Sequence, residues 1–241
     1  RVDLRDKTTF TIDGETAKDF DDAVSIERTH QGYRLRVSIA DVSRYVKEGN
    51  AIDAEAYARS TSVYFPDRCV PMLPEALSNG ICSLNPHEER LTLTAEMEFD
   101  ASGHMTKKTF YESVIKSAER MTYTNVKKLI EGADAALAQR YARILPDLKD
   151  MEGLAQKLTG KRMEAGGMDF DLPEPQIIID IEENIEDIVR SERNVAHRLI
   201  EEFLLAANRA AAEEFTRLDL PVLYRVHGEP DRESIDDFIE F

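Results

Sequence analysis

Four aspartates fall within ten residues near the start of the chain, in Asp13-Gly-Glu-Thr-Ala-Lys-Asp19-Phe-Asp21-Asp22. Apolar runs of strand-forming residues flank them, Thr8 to Ile12 before and Ala23 to Arg28 after. An extended backbone points Asp19 and Asp21 to one side with Phe20 opposite, and Gly14 permits a tight turn that folds Asp13 back over them. At separations of roughly 5 Å, each close carboxylate pair repels by about 3 kcal/mol at an effective dielectric of about 20. Convergence therefore calls for bound cations or shared protons. An all-oxygen set without His or Cys selects hard ions, Mg²⁺ or Mn²⁺, over zinc. A calcium loop of the EF-hand type fails in both registers. Counted from Asp13, Ala17 and Lys18 occupy its fifth and sixth positions; counted from Asp19, Ala23 and Val24 do. Two hard ions about 4 Å apart are the equipment of phosphodiester hydrolysis, one acidifying a bound water and the other stabilising the leaving oxygen. The competing reading is a solvated acidic turn whose aspartates cap the next element.

The elements that must position this cluster read as α+β. Ala23 to Arg28 and Tyr33 to Ala40 form a hairpin, turned at His30-Gln31-Gly32. Ala51 to Arg59 is helical, and the prolines between Tyr64 and Pro74 forbid a regular helix or central strand there. Leu91 to Phe99 and Met105 to Ile115 form a second hairpin about Ala101-Ser-Gly103. Helices follow at 124–131, 133–145 (ended by Pro146) and 147–164. Gln176 to Ile181, apolar on both faces, reads as an interior strand. Asn194 to Phe215 is the strongest helix, Leu220 to Val226 a last strand, and Ser234 to Phe241 an amphipathic helix. With no Gly/Ser linker and no internal repeat, the chain reads as one domain.

The 241 residues carry 31 Lys and Arg against 47 Asp and Glu, a net charge of −16. Such a balance argues against a DNA-coating surface, which would be basic. With 42% hydrophobic residues the chain can bury a sizeable core. No apolar run reaches the roughly 18 residues of a membrane span. Cys69 and Cys82 form no CxxC and gather no histidines, which excludes a disulfide scaffold and disfavours structural zinc. A cytoplasmic location is expected, the polar start Arg1-Val2-Asp3 having no secretory leader.

The spacing Asp13-x5-Asp19-x-Asp21-Asp22 resembles the catalytic signature of the ribonuclease II/ribonuclease R family of exoribonucleases. The resemblance continues through Val37-Ser-Ile-Ala-Asp-Val-Ser43, Thr61-Ser-Val-Tyr-Phe-Pro66, Pro71-Met-Leu-Pro74, Leu77-Ser-Asn-Gly-Ile-Cys-Ser-Leu84, His197-Arg-Leu-Ile-Glu-Glu202 and Tyr224-Arg-Val-His227. The wording of Thr61 to Pro66 is closest to the ribonuclease R branch. It implies a twisted, mostly antiparallel sheet wrapped by helices around an RNA channel. It also implies processive 3′→5′ hydrolysis of single-stranded RNA to 5′-nucleoside monophosphates, with Mg²⁺ (or Mn²⁺) at the four aspartates. Asp13, Asp19 and Asp22 match metal ligands, and Asp21 matches the residue most critical for the second metal or the attacking water. Tyr64 and Phe170 match aromatics that clamp a base near the 3′ end, and Glu201 matches a position near the terminal ribose. Stacking suits a sequence-blind enzyme because every base has a π-face.

Residue by residue, blander readings stand beside these. Tyr64 and Phe170 could be core, and Glu201 shares a polar row with Asn194, His197 and Asn208 that could simply be solvated, with Arg198 pairing Glu202. Arg68 and Arg90 could meet phosphate or form surface salt bridges. The family's C-terminal Thr-Ser-Pro-Ile-Arg-Arg-Tyr-type motif and its flanking OB-fold domains do not occur in these residues. The chain is thus expected to be the N-terminal part (1–241) of one catalytic domain, weakly active or inactive alone. The rivals are a two-metal phosphodiesterase acting on DNA or a small nucleotide, an RNA- or cation-binding module without catalysis, and an acidic protein-interaction domain.

Overall fold

A computed structural model describes residues 1–66, 68–170, 174–179, 185–191, 193–226 and 228–240. The chain order is β1 (Val2–Asp3), β2 (Phe10–Asp13), β3 (Asp22–Arg28), β4 (Gly32–Ala40), α1 (Ala51–Arg59), β5 (Val63–Tyr64), β6 (Cys69–Val70) and a π-helix, Ala76–Ile81. Then come β7 (Glu89–Asp100), β8 (Met105–Lys116), β9 (Glu119–Thr122), α2 (Tyr123–Glu131), α3 (Ala135–Arg140) and α4 (Leu145–Glu164). A ribbon, β10 (Glu174–Ile179) and β11 (Ile185–Ser191), precedes α5 (Val195–Arg217) and α6 (Arg232–Glu240).

Seven strands form one sheet in the order β1-β8-β7-β4-β3-β2-β9. Its two outermost pairs, β1 with β8 and β2 with β9, are parallel, and the inner pairs are antiparallel. The fold is α+β, as expected. Alternation sorts the two faces of the sheet. Val24 and Ile26, Leu35 and Val37, Met97 and Phe99 point to one side, where they are buried with Val126 of α2, Leu148 and Met151 of α4, and Leu199 and Phe203 of α5. The other face carries a polar ladder. Ser38 bonds Thr94 at 2.8 Å, Thr94 bonds Ser113 at 2.6 Å, and the buried Arg36 donates to Glu96 at 2.6 Å. The first hairpin needs Gly32 at its turn, because a Cβ there would lie 2.3 Å from the Phe99 carbonyl oxygen.

Four expectations change. The described part of Gln176 to Ile181, as far as Ile179, is not interior: among the described residues β10 pairs with β11 alone, and Ile177, Ile185 and Ile188 of that ribbon are exposed. Leu220 to Val226 forms no strand among the described residues, and Leu223 is fully exposed. Pro146 does not end a helix but stands in the first turn of α4, where its missing N–H costs nothing. Glu202 pairs with Arg162, not Arg198. Ile181, His227 and Phe241, each part of an expected element or motif, lie outside the described residues.

Candidate active site

Asp13 ends β2 and Asp22 opens β3, so the sheet itself delivers two of the four carboxylates. The loop between them hangs from the core by one ring. Phe20 is buried with Leu4, Ala23, Ala40, Cys82, Leu84 and Ile115. Its backbone N–H donates to Ser83 Oγ at 3.0 Å, and its carbonyl accepts from the Leu84 N–H at 2.9 Å. Ser83 Oγ donates in turn to the Lys18 carbonyl at 2.8 Å. From the other flank, the Arg120 guanidinium of β9 donates to the carbonyls of Gly14 and Glu15 at 2.6 and 2.7 Å and lies 5.5 Å from the Phe20 ring centre. The Asp21 carbonyl accepts from the Ala40 N–H at 2.9 Å. The motifs at Val37 to Ser43 and Leu77 to Leu84 thus act as the loop's buttresses.

The carboxylates feel one another. Burial and the Asp22 charge push the Asp13 pKa up to about 7. Burial and Asp21 push Asp22 up to about 6, and burial and Asp19 raise Asp21. One oxygen of Asp13, Oδ2, is buried without a hydrogen-bond partner. Among the described residues no three acidic, His or Cys side chains already stand as a closed metal cage. The aspartates are coupled neighbours whose like charges favour turning apart.

Tyr64, 68% exposed on β5, donates its hydroxyl to Asp19 Oδ2 at 3.0 Å, which fixes an open aromatic face beside the loop. It is not core. Tyr123, which sequence reasoning missed, follows Thr122, the register partner of Asp13 across β2 and β9. Burial and the charges of Asp13 and Asp22 push its pKa up to about 12. His197 stacks on its ring at 3.8 Å and accepts the Asn194 N–H at Nδ1, within the capping box that starts α5. Neither residue is a merely solvated surface group.

Phe170 and Glu201 are linked, through Asp169 and Arg193, at a second corner. Arg193 donates to Glu201 Oε2 from Nε and Nη2, at 3.2 and 2.6 Å, and its Nη1 binds Asp169, the neighbour of Phe170. The Phe170 ring rests edge-on against Phe238 of α6, 5.9 Å between centres. Nothing among the described contacts joins Phe170 to Tyr64. Arg90, offered as a phosphate contact, instead donates to the backbone carbonyls of Ser83 and Gly80. The sequence signal for Arg120 and Arg193 is an arginine directly after a glutamate, too common to single either out.

A family model described as "RNB domain" matches residues 1–241. The chain belongs to the RNB domain family. It is 48% identical over 241 residues to Ribonuclease R of Aquifex aeolicus, covering 100% of this chain and 34% of that protein. It is 46% identical to Ribonuclease R of Escherichia coli, covering 99% of this chain and 29% of the relative. The structure of Mycoplasma genitalium RNase R in complex with ribose-methylated single-stranded RNA superposes with a TM-score of 0.92 at 31% identity, over 100% of this chain and 37% of that one. The chain thus spans about a third of the length of these RNB relatives.

Proposed function

We propose that these residues are the N-terminal part of the catalytic domain of a processive 3′→5′ exoribonuclease, which hydrolyses single-stranded RNA to 5′-nucleoside monophosphates. What supports the reading most is the buttressed loop of mutually coupled carboxylates with an open tyrosine ring bonded to one of them. The donors fit a hard divalent ion: all are carboxylate oxygens, one is buried without a partner, and their mutual repulsion is relieved by positive charge. Asp13, Asp19, Asp21 and Asp22 would hold Mg²⁺ or Mn²⁺, which when bound supplies an acidified water and charge stabilisation of the leaving 3′-oxygen.

The remaining groups bind and orient. The Tyr64 ring offers a stacking face for a terminal base, and its bond to Asp19 keeps that face against the carboxylates. Tyr123, braced by His197, walls the side of Asp13 and Asp22. Glu201 spends only Oε2 on Arg193 and retains an oxygen to accept from a ribose hydroxyl, the group that separates RNA from DNA. Phe170 supplies a second aromatic surface. OB-fold domains elsewhere in the longer protein would feed the strand in. Two free cysteines suit a cytoplasmic location, and no described helix is long and apolar enough to cross a membrane.

The test compares matched RNA and DNA oligomers carrying a free 3′ end, with Mg²⁺, using the full-length protein. RNA should shorten to mononucleotides while DNA persists. Asp21→Asn should cost roughly 10³-fold or more in turnover, about 4 kcal/mol of transition-state stabilisation, with RNA binding retained. Equal cleavage of DNA, or undiminished turnover in Asp21→Asn, would overturn the reading. The 241-residue chain alone is expected to degrade RNA weakly or not at all.

A further inference from the structure

Beyond its first turns α5 leaves the aspartate loop, and its stretch from Glu202 to Glu213 walls a cavity of about 800 Å³. The tip of the β7–β8 hairpin and the last turns of α4 close it. No residue of the aspartate loop, nor Tyr64, Tyr123 or His197, lines it. At 1.5 Å per residue, Arg209 lies about 18 Å along the helix from His197.

Charge sets this cavity apart. Five cations (Lys107, Lys108, Lys161, Arg162 and Arg209) face two carboxylates, Glu202 and Glu213, leaving three positive charges in a chain whose total is −16. Arg162 is matched by Glu202 at 2.7 Å, and Glu213 is shared by Lys108 at 2.6 Å and Arg209 at 3.0 Å. Lys161 has a different partner. Its ammonium donates to His104 Nε2 at 2.7 Å, a partner that is not a carboxylate. The other ring nitrogen of His104 is engaged by Ser102 Oγ at 2.7 Å, which holds the imidazole in this pose. Lys107 comes no nearer than 3.8 Å to Glu98. The floor, by contrast, is apolar: Leu158 and Ala206 are partly buried, and Leu205 is 43% exposed.

We propose that this cavity binds a phosphate-bearing nucleotide, its base against the Leu158–Leu205 floor and its phosphate between Lys161, Lys107 and Arg209. The volume lies within the range of small-ligand sites, and an excess of cations over carboxylates above an apolar floor matches a ligand with one flat apolar end and one anionic end. Even on so acidic a surface, a phosphate here meets a local excess of positive charge. A free nucleoside 5′-monophosphate and the phosphodiester backbone of an RNA strand both present this chemistry, and the experiment separates the two sources.

The experiment uses the full-length protein in EDTA, so cleavage is not the readout and the site stands independently of the nuclease reading. Adenosine 5′-monophosphate and a four-nucleotide oligoadenylate are titrated by calorimetry into the protein and into two double variants, Lys161→Gln/Arg209→Gln and Lys107→Gln/Arg209→Gln. All three positions are at the surface, and thermal melting checks the fold. In parallel, 8-azido-adenosine 5′-monophosphate is photo-crosslinked and the labelled peptides mapped. Label on residues 103–108 or 205–213, with at least a tenfold loss of affinity in the variants, supports the site. A loss for both ligands assigns it to free nucleotide; a loss for the oligomer alone, with a salt slope lower by about one per cation removed, assigns it to the RNA backbone. Unchanged affinity for both ligands, or label confined to residues 13–64, overturns it.

Discussion

The aspartate loop and the corner at Phe170 and Glu201 are held by different physics. The loop is suspended from the interior: Phe20 is 6% exposed, and Ser83 and Arg120 occupy its backbone groups. The corner is held at the surface, with the partly exposed Arg193 fastening Asp169 to Glu201. Groups that must meet a reacting phosphodiester need fixed placement, which packing supplies. Groups that receive an end of a moving strand tolerate a looser mount, and partly exposed ion pairs supply that.

The contrast breaks most visibly at Phe20. Phe20→Ala removes a buried ring and should cost about 3–5 kcal/mol of stability, read from chemical denaturation. It should also free the Tyr64 hydroxyl from Asp19, since the loop loses its anchor. A cost below about 1 kcal/mol would mean the hydrogen bonds to Ser83 and Arg120 suffice alone.

The carboxylates themselves load the loop with strain that depends on pH. Asp13 and Asp22 titrate near 7 and 6 when folded, above the usual carboxylate range. The folded state therefore holds protons that the unfolded chain has released. In the metal-free protein the stabilisation these two groups contribute is fully present below about pH 4 and is lost progressively as pH rises to about 7. Asp13→Asn removes the larger shift and should stabilise the metal-free protein at pH 8 by on the order of 2 kcal/mol, flattening the profile. Mg²⁺ should stabilise the parent at pH 8 and the variant less. Thermal melting between pH 4 and 8, with and without Mg²⁺, decides it.

Much of this was legible in the sequence, for reasons that differ by region. Alternation in Tyr33 to Ala40 and Leu91 to Phe99 survives because one face of those strands meets helices and the other a polar ladder. The same rule misplaced the run at Ile177 and Ile178, because an apolar run does not reveal whether helices or solvent cover it. Two-residue β1 and four-residue β9 are too short to show a period, yet β9 delivers Arg120 and leads into Tyr123. The aspartates were readable from their spacing. Their supports were not, since Ser83 and Arg120 act through backbone carbonyls and amides that any neighbouring sequence would provide.

The mildest change sharpens the comparison at its other end. Arg193→Met keeps an unbranched apolar stem and removes the guanidinium, releasing Glu201 and Asp169 together. Both pairs are partly exposed, so their loss should cost at most about 1 kcal/mol of stability. The functional effect should be larger than the structural one. Glu201 would no longer be held by its Oε2, and Asp169 would no longer tether Phe170, so KM for RNA should rise several-fold with kcat nearly unchanged. Adding Glu201→Gln to Arg193→Met should then cost little more, because the arginine acts through that carboxylate. If Arg193→Met instead unfolded the protein as severely as Phe20→Ala, the corner would be part of the core after all, and the distinction between a packed site and a mounted one would be lost.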